Sequence, residues 1–406
     1  MKLKATPEDF RVEEVAALSV SARKGPYAVY RLTKRSWDTF DLVPLLARRL
    51  GVEAGDVSVA GIKDRHGETA QLVSVRGKGP WKSAVEEKNY SAELEGYAEA
   101  PITAKDITGN RFTIVMRDMS DAEAAAAARN AEVVRRTGIP NYYDEQRFGS
   151  ARHGQGFMGK AIFLGRREEA LRLWFLPSKK DDRRTRALKK CVTQNWGQWD
   201  GCLELAFGEY RRVLSYLAAN PRAHHKALSL IDKRFLVFAV NAYQSLLFNR
   251  VLSLWIEEMS AREGFALGRL TFPYYAFLFP LSLTAETAEK CSRSLLPVPG
   301  YDSVVPDPEV RAILERVLEE EGIQLSDLRI RQMSKMSAPG IERPAFVRVE
   351  DFLMEEAMED EMYPGRKKIR LSFFLPRGSY ATIVVKRICL STPVPRREPS
   401  ADPPAP

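Results

Sequence analysis

Strand-like runs at both ends of this 406-residue chain enclose a long middle that reads as helix, and that order limits the folds open to it. Residues 1–118 are strand-rich. Lys4-Ala5-Thr6-Pro7-Glu8-Asp9 reads as a proline-initiated turn, and Phe10-Arg11-Val12-Glu13-Glu14-Val15 as the alternating strand it enters. Residues 27–32 alternate as a second strand, and a helix over 40–50 is stopped by Gly51. Val57-Ser58-Val59-Ala60 and Leu72-Val73-Ser74-Val75 are short and valine-rich and predict two more strands. Residues 111–116 predict another, entered through Gly109-Asn110. Ser120 with Glu123 forms a capping box for a helix that Gly138 ends and Pro140 keeps from resuming. Residues 156–345 then read as helix with long loops, with 235–262 a long helix or a closely joined pair. The chain returns to strand at 369–385, read as two strands joined by a Pro376-Arg377-Gly378 turn. The proline-rich stretch 393–406 lacks an apolar pattern and predicts disorder.

Composition excludes several classes. No uncharged run reaches the roughly 20 residues that span a bilayer; the longest candidate, 235–249, carries Asn241, Gln244 and Asn249 and reads as a buried helix. The N-terminus lacks the apolar core of a signal peptide. Cys191, Cys202, Cys291 and Cys389 are widely spaced without a Cys-x-x-Cys pair, which fits a reducing cytoplasm and argues against structural zinc. The four histidines make no metal-ligand pattern. Gly154-Gln155-Gly156-Phe157-Met158-Gly159-Lys160-Ala161 nearly fits a P-loop, but Ala161 stands where magnesium needs a hydroxyl and no apolar strand precedes it, so ATP binding is set aside. The net charge is +9, and it is unevenly spread. Residues 166–190 hold ten basic and four acidic side chains, 363–397 nine basic and no acidic one, and 350–361 seven acidic and no basic one. Each block is compatible with a solvated face; two separate basic stretches also fit a nucleic-acid partner.

Two loops carry candidate chemistry. Gly61-Ile62-Lys63-Asp64-Arg65-His66-Gly67-Glu68-Thr69-Ala70-Gln71 joins two predicted strands. Asp64 lies between two cations, which favour its ionised form, and a charged carboxylate can act as nucleophile or general base. A solvated hairpin tip would look the same from these residues alone. Asn141-Tyr142-Tyr143-Asp144-Glu145-Gln146-Arg147-Phe148-Gly149 gathers aromatic rings, an amide and an arginine. Rings stack on bases and an amide can meet a base edge, although a partly buried aromatic turn has the same composition.

Taken in order, these segments resemble the TruD family of tRNA pseudouridine synthases. The family's catalytic loop, Gly-x-Lys-Asp-(Lys/Arg)-x-Ala-x-Thr-x-Gln, is matched at Gly61, Lys63, Asp64, Arg65, Thr69 and Gln71, with Gly67 where alanine is usual. Its Asn-Tyr-Phe-Gly-x-Gln-Arg-Phe-Gly is similar to Asn141 through Gly149, with Tyr143 for phenylalanine and Asp144 for glycine; the latter adds a carboxylate and removes glycine's backbone freedom. Tyr243-Gln244-Ser245-Leu246-Leu247-Phe248-Asn249 resembles a segment of the family's inserted domain, Pro297-Val298-Pro299-Gly300 its turn, and Leu375 through Thr382 its closing motif.

The resemblance implies an α+β fold. Its core would be a pseudouridine synthase-type mixed sheet with helices, built from 1–155 and 346–392, with a mostly helical domain inserted at 156–345. It implies isomerisation of uridine to pseudouridine in RNA, uridine 13 of tRNA in the family's usual case, with the RNA in a cleft above an essential Asp64. Lys4 matches a lysine paired with that aspartate. Phe10, Asn141, Tyr143 and Tyr380 match positions that meet the substrate, and Arg147 would bind a phosphate or brace its loop. No metal, nucleotide or other cofactor is implied, nor any membrane; the partner would be tRNA and the compartment the cytoplasm, while the sequence leaves the oligomeric state open, with a monomer expected. The rival reading is a non-catalytic RNA-binding or RNA-folding protein using the same cleft.

Overall fold

The computed structural model describes residues 1–61, 63, 67–149, 155–178, 181–272, 274–330, 337–390 and 393–394. The chain divides into two compact units. The first takes Met1–Ile139, Leu283–Ala288 and Val347–Ser391; the second is chiefly Pro140–Ser282 and Glu289–Phe346.

The first unit is built on a ten-stranded sheet. Its strands are β1 (Phe10–Ala16), β2 (Tyr27–Arg35), β3 (Val57–Val59), β4 (Glu68–Arg76), β5 (Ala84–Glu87), β6 (Tyr90–Ala98), β7 (Ile107–Met119), β8 (Glu350–Met354) and β9 (Lys367–Pro376), with the two-residue Met358–Glu359 beside β9. The order is β8-β9-β7-β1-β4-β2-β6-β5, and β3 pairs with β4. β1 and β4 run parallel, while β1 is antiparallel to β7 and β2 to β4, so the sheet is mixed and the fold α+β. Strands from both ends of the sequence meet where β9 pairs with β7. Helix α1 (Thr39–Leu50) starts at the Asp38 cap and ends at Gly51, whose φ of 73° suits a residue without Cβ. Its Leu42, Leu46 and Leu50 share a core with Tyr30, Leu32, Val73 and Val75. Helix α2 (Asp121–Thr137) carries the expected Ser120–Glu123 capping box.

Three readings of the chain change. Gly109 and Asn110 lie inside β7 rather than at its entrance. β5 and β6 lie outside the expected strands, although β6 alternates Tyr90, Ala92 and Leu94 with Ser91, Glu93 and Glu95 in the two-residue period of a strand. Residues 381–385, expected as a strand, belong to the helix Ala381–Ile388, which follows Tyr380. Its Ala381, Val384, Val385 and Ile388 are buried at helical spacing, so packing overrides the strand preference of its β-branched residues.

The second unit is mostly helical: α3 (Met158–Phe163), α4 (Arg167–Phe175), α5 (Arg183–Gln194), α6 (Gly208–Ala219), α7 (His224–Ser229), α8 (Lys233–Glu263) and α9 (Pro308–Glu321), with short antiparallel pairs at Leu267–Thr271/Ala276–Pro280 and Leu295–Val298/Ile341–Pro344. α8 is a single 31-residue helix. It is long and apolar enough to cross a membrane, yet its middle is buried within the unit. Of the P-loop-like run, Gly154 lies outside the described residues, and Lys160 is held 2.8 Å from Glu321. The cysteine spacing misled in one respect: Cys191 and Cys202 form a disulfide, with Cα atoms 5.9 Å apart, while Cys291 and Cys389 are free. Of the tail expected to be disordered, 395–406 lie outside the described residues, and Pro393–Val394 pair with Gly268 and Leu267.

Candidate active site

Asp64 lies outside the described residues, as do Ile62, Arg65 and His66; what is described is the frame on either side. β1 presents Phe10, Val12 and Glu14 on one face, in the two-residue period of a strand. The segment between β3 and β4 meets that face at both its ends. On one side, Lys63 Nζ lies 2.6 Å from Glu14 Oε2 and donates to Asn110 Oδ1 at 2.7 Å, with the lysine side chain 11% exposed and the glutamate side chain 0%. On the other, Gly67 presses against Phe10: a Cβ there would lie 2.6 Å from the Phe10 carbonyl oxygen, so glycine at this position permits the close approach.

Further bonds fix the main chain. Gln71 Nε2 donates to the Gly61 carbonyl at 3.2 Å, Thr39 Oγ1 accepts from Lys63 N at 3.3 Å, and Lys34 Nζ donates to the Lys63 carbonyl at 3.4 Å and to that of Trp37 at 2.7 Å. Glu14 Oε1 also accepts from Leu72 N. Gly61, Lys63 and Gln71 thus serve to tie the loop down. One electrostatic expectation changes accordingly: the Lys63 ammonium is engaged by Glu14 and is not simply a neighbouring cation for residue 64.

The N-terminal segment contributes Lys4, half-buried, at φ 58°, with Nζ 4.1 Å from the Phe10 ring centroid. Left-handed backbone is costly for lysine, so surrounding contacts must hold it there. Phe10 is 3% exposed and meets Phe112 edge-on at 6.3 Å, which in turn meets Phe373 at 5.5 Å. The segment is pinned by Asp9, whose carboxylate accepts from Arg117 Nε at 2.9 and 3.0 Å; Arg117 also reaches Asp360 and Glu361. Burial works against the Arg117 charge, but the three carboxylates outweigh it and raise its pKa. Tyr380, half-buried, immediately precedes the C-terminal helix.

Asn141, Tyr143 and Arg147 lie together in the second unit, and α8 explains how. Asn249 brackets Tyr143, accepting from its N–H at 2.9 Å and donating to its carbonyl at 2.7 Å. Ser245 Oγ accepts from Arg147 Nε at 3.1 Å. Gln244, one position earlier, donates to the Pro299 and Pro339 carbonyls. Gln244, Ser245 and Asn249, which interrupt α8's apolar run, are therefore anchors for loops.

Asn141 is 4% exposed, and its carboxamide is bonded at both ends: Arg343 Nη2 donates to Oδ1 at 2.7 Å and Nδ2 donates to the Pro344 carbonyl at 3.1 Å. Arg343 Nε also donates to the Asn141 carbonyl, and its guanidinium lies 4.1 Å from the Tyr143 ring centroid. Arg147 lies 5.6 Å from the same ring. Asp144 adopts extended backbone at φ −92°, which needs no glycine, and its carboxylate accepts from Glu145 N to start a short 3₁₀ turn. Lys34, Glu14, Asn249 and Arg343 were missed as site residues. Glu14 and Lys34 left a signal, since each is polar in the buried phase of an otherwise apolar strand; Arg343 left none.

Among the described residues no group of three or more His, Cys, Asp or Glu is placed to hold a metal ion. The family model for TruD, tRNA pseudouridine synthase D, matches residues 1–388. The chain is 31% identical to the "Probable tRNA pseudouridine synthase D 1" of Methanococcus maripaludis, over 96% of this chain and 99% of that one. It is 28% identical to the tRNA pseudouridine synthase D of Leptospira interrogans, over 96% of each. Its fold is similar to the crystal structure of a "Putative tRNA pseudouridine synthase D (TruD)" from Methanosarcina mazei, with a TM-score of 0.71 and 27% identity over 95% of this chain and 93% of that one.

Proposed function

Because the chain belongs to the TruD family of tRNA pseudouridine synthases, we propose that it isomerises uridine 13 of tRNA in the cytoplasm, with Asp64 as the essential aspartate. The reaction breaks the N-glycosidic bond, turns the uracil and joins C5 to the ribose. It needs a carboxylate held at the sugar-base junction and a nucleotide drawn out of the stack. Extrusion costs a few kcal/mol, and stacking on aromatic rings, at about 1–3 kcal/mol per base, offsets it.

The observation that carries the reading is the frame around residue 64. Its chain neighbour Lys63 is anchored at Glu14 and Asn110, and Gly67 is set against Phe10. A buried ion pair beside a reactive position limits how far the carboxylate can wander, and an error near 1 Å can cost about a hundredfold in rate. Lys4 sits over Phe10 at the same end of the frame, consistent with a cation serving the carboxylate. In the other unit, Tyr143 lies against two guanidinium groups, a ring suited to face a base, while Asn141, bonded at both ends, orients that loop.

The experiment is to map pseudouridine in tRNA from cells with and without this protein. Loss of pseudouridine at position 13 alone is the expected result. An unchanged map, with RNA binding retained, would favour a non-catalytic RNA-binding protein.

A further inference from the structure

The two basic stretches of the sequence have different fates. That at 363–397 is largely matched within its own unit. Lys367 pairs with Glu359, Lys368 with Glu361, Arg366 with Asp118 and Glu123, and Arg370 with Glu355. The other is not. Residues 166–230 carry fourteen lysines and arginines against seven aspartates and glutamates, a net +7 out of the chain's +9. Their carboxylates are turned to internal tasks: Asp181 neutralises the buried Lys189 at 3.0 Å, Asp182 caps α5 through Thr185 N, and Glu168 pairs with Arg172. Arg183, Arg184, Lys190 and Arg211 are all exposed and have no acidic partner among the described residues.

Three of these lie on α5 and the fourth in the first turn of α6, and Arg184 links the two helices. Arg183 and Lys190 stand seven residues apart on the solvent side of α5, two turns and about 10 Å along the helix. Arg184 lies 4.1 Å from the ring centroid of Phe207, the residue that starts α6, and Arg211 follows Phe207 by one turn. The support beneath is firm. Leu188 and Val192 are buried, Trp174 stacks on Tyr210 at 4.7 Å, and the Cys191–Cys202 disulfide ties the last turn of α5 down.

We propose that this basic surface on α5 and the start of α6 docks the sugar-phosphate backbone of the tRNA outside the target nucleotide. Exposed cations without carboxylate partners on a fixed surface complement a polyanion, and backbone contacts of this kind position RNA without reading its sequence. The inference takes its partner from the tRNA pseudouridine synthase reading and adds the surface.

The test is the triple variant Arg183→Gln/Arg184→Gln/Lys190→Gln in the full chain, measured with full-length tRNA. The slope of log Kd against log salt should fall by about 2–3, one phosphate per lost cation. KM should rise at least about tenfold at physiological salt, with kcat at saturating tRNA retained. An unchanged slope, or a fall in kcat with KM unmoved, overturns the proposal. Should the triple variant fold poorly, Arg183→Gln/Arg211→Gln gives the same readout, with an expected slope change of about 1–2. Failure of the functional reading would look different: the wild-type chain would form no pseudouridine, whatever the slope.

Discussion

Replacing Glu14 with glutamine tests the frame around the reactive loop. The substitution keeps the shape of the side chain and its bond to Leu72 N but removes the charge that faces Lys63. At the observed 2.6 Å separation, Coulomb's law with an effective dielectric of 20 gives an attraction of about 6 kcal/mol. Desolvation of both groups consumes part of that, and stripping one partner from a buried pair typically costs about 3–5 kcal/mol. In a unit of this size each kcal/mol moves Tm by roughly 2–4 °C, so the transition should fall by roughly 6–20 °C. Where the loop releases Lys63 instead of dragging the unit down, the loss appears in catalysis, at about a hundredfold in kcat. Differential scanning calorimetry and single-turnover pseudouridine formation read the two outcomes. The double variant Glu14→Gln/Lys63→Met should cost less than the sum of its parts, since no ion is then left unpaired. A Glu14→Gln protein with unshifted Tm and full rate would refute the reasoning.

Other expectations follow from separate contacts. Arg343→Lys gives up the forked grip on Asn141 and the flat contact with Tyr143, and should weaken tRNA binding about tenfold, near 1.4 kcal/mol, in a filter-binding assay. Burial alone would raise the Asp360 pKa, but the Asp118 and Met362 N–H groups and Arg117 hold it below its ordinary 3.8. Its stabilising share is therefore present above that value and lost as pH falls through the lower folded one, so the Tm gap between wild type and Arg117→Met should narrow below about pH 4, as calorimetry across pH would record. Reducing the Cys191–Cys202 bond should destabilise the second unit by roughly 2–3 kcal/mol, seen as a lower Tm in reductant and abolished in Cys191→Ser.

What was legible in the sequence was local. The alternation of Phe10, Val12 and Glu14, the Gly51 stop of α1, the capping box of α2 and the apolar length of α8 all follow from neighbours in the chain, and each reappears in the fold. The family motifs fixed the α+β class because several of them occur in order. The rest depended on distant partners. The strand preference of 382–385 gave way to helical burial of Val384, Val385 and Ile388. The task of Lys63 depended on Glu14 and Asn110, about 50 residues away on either side. Arg343 acquires its role only because the chain brings it back to Asn141 after 202 residues. Likewise Cys191 meets Cys202 through the fold around α5, which spacing alone does not announce.

The most direct measurement compares wild-type protein and Asp64→Asn on the same unmodified tRNA, scoring binding and pseudouridine at position 13 together. The account predicts that the variant binds tRNA as the parent does and forms no pseudouridine. Product formed by Asp64→Asn at the parent's rate would contradict it.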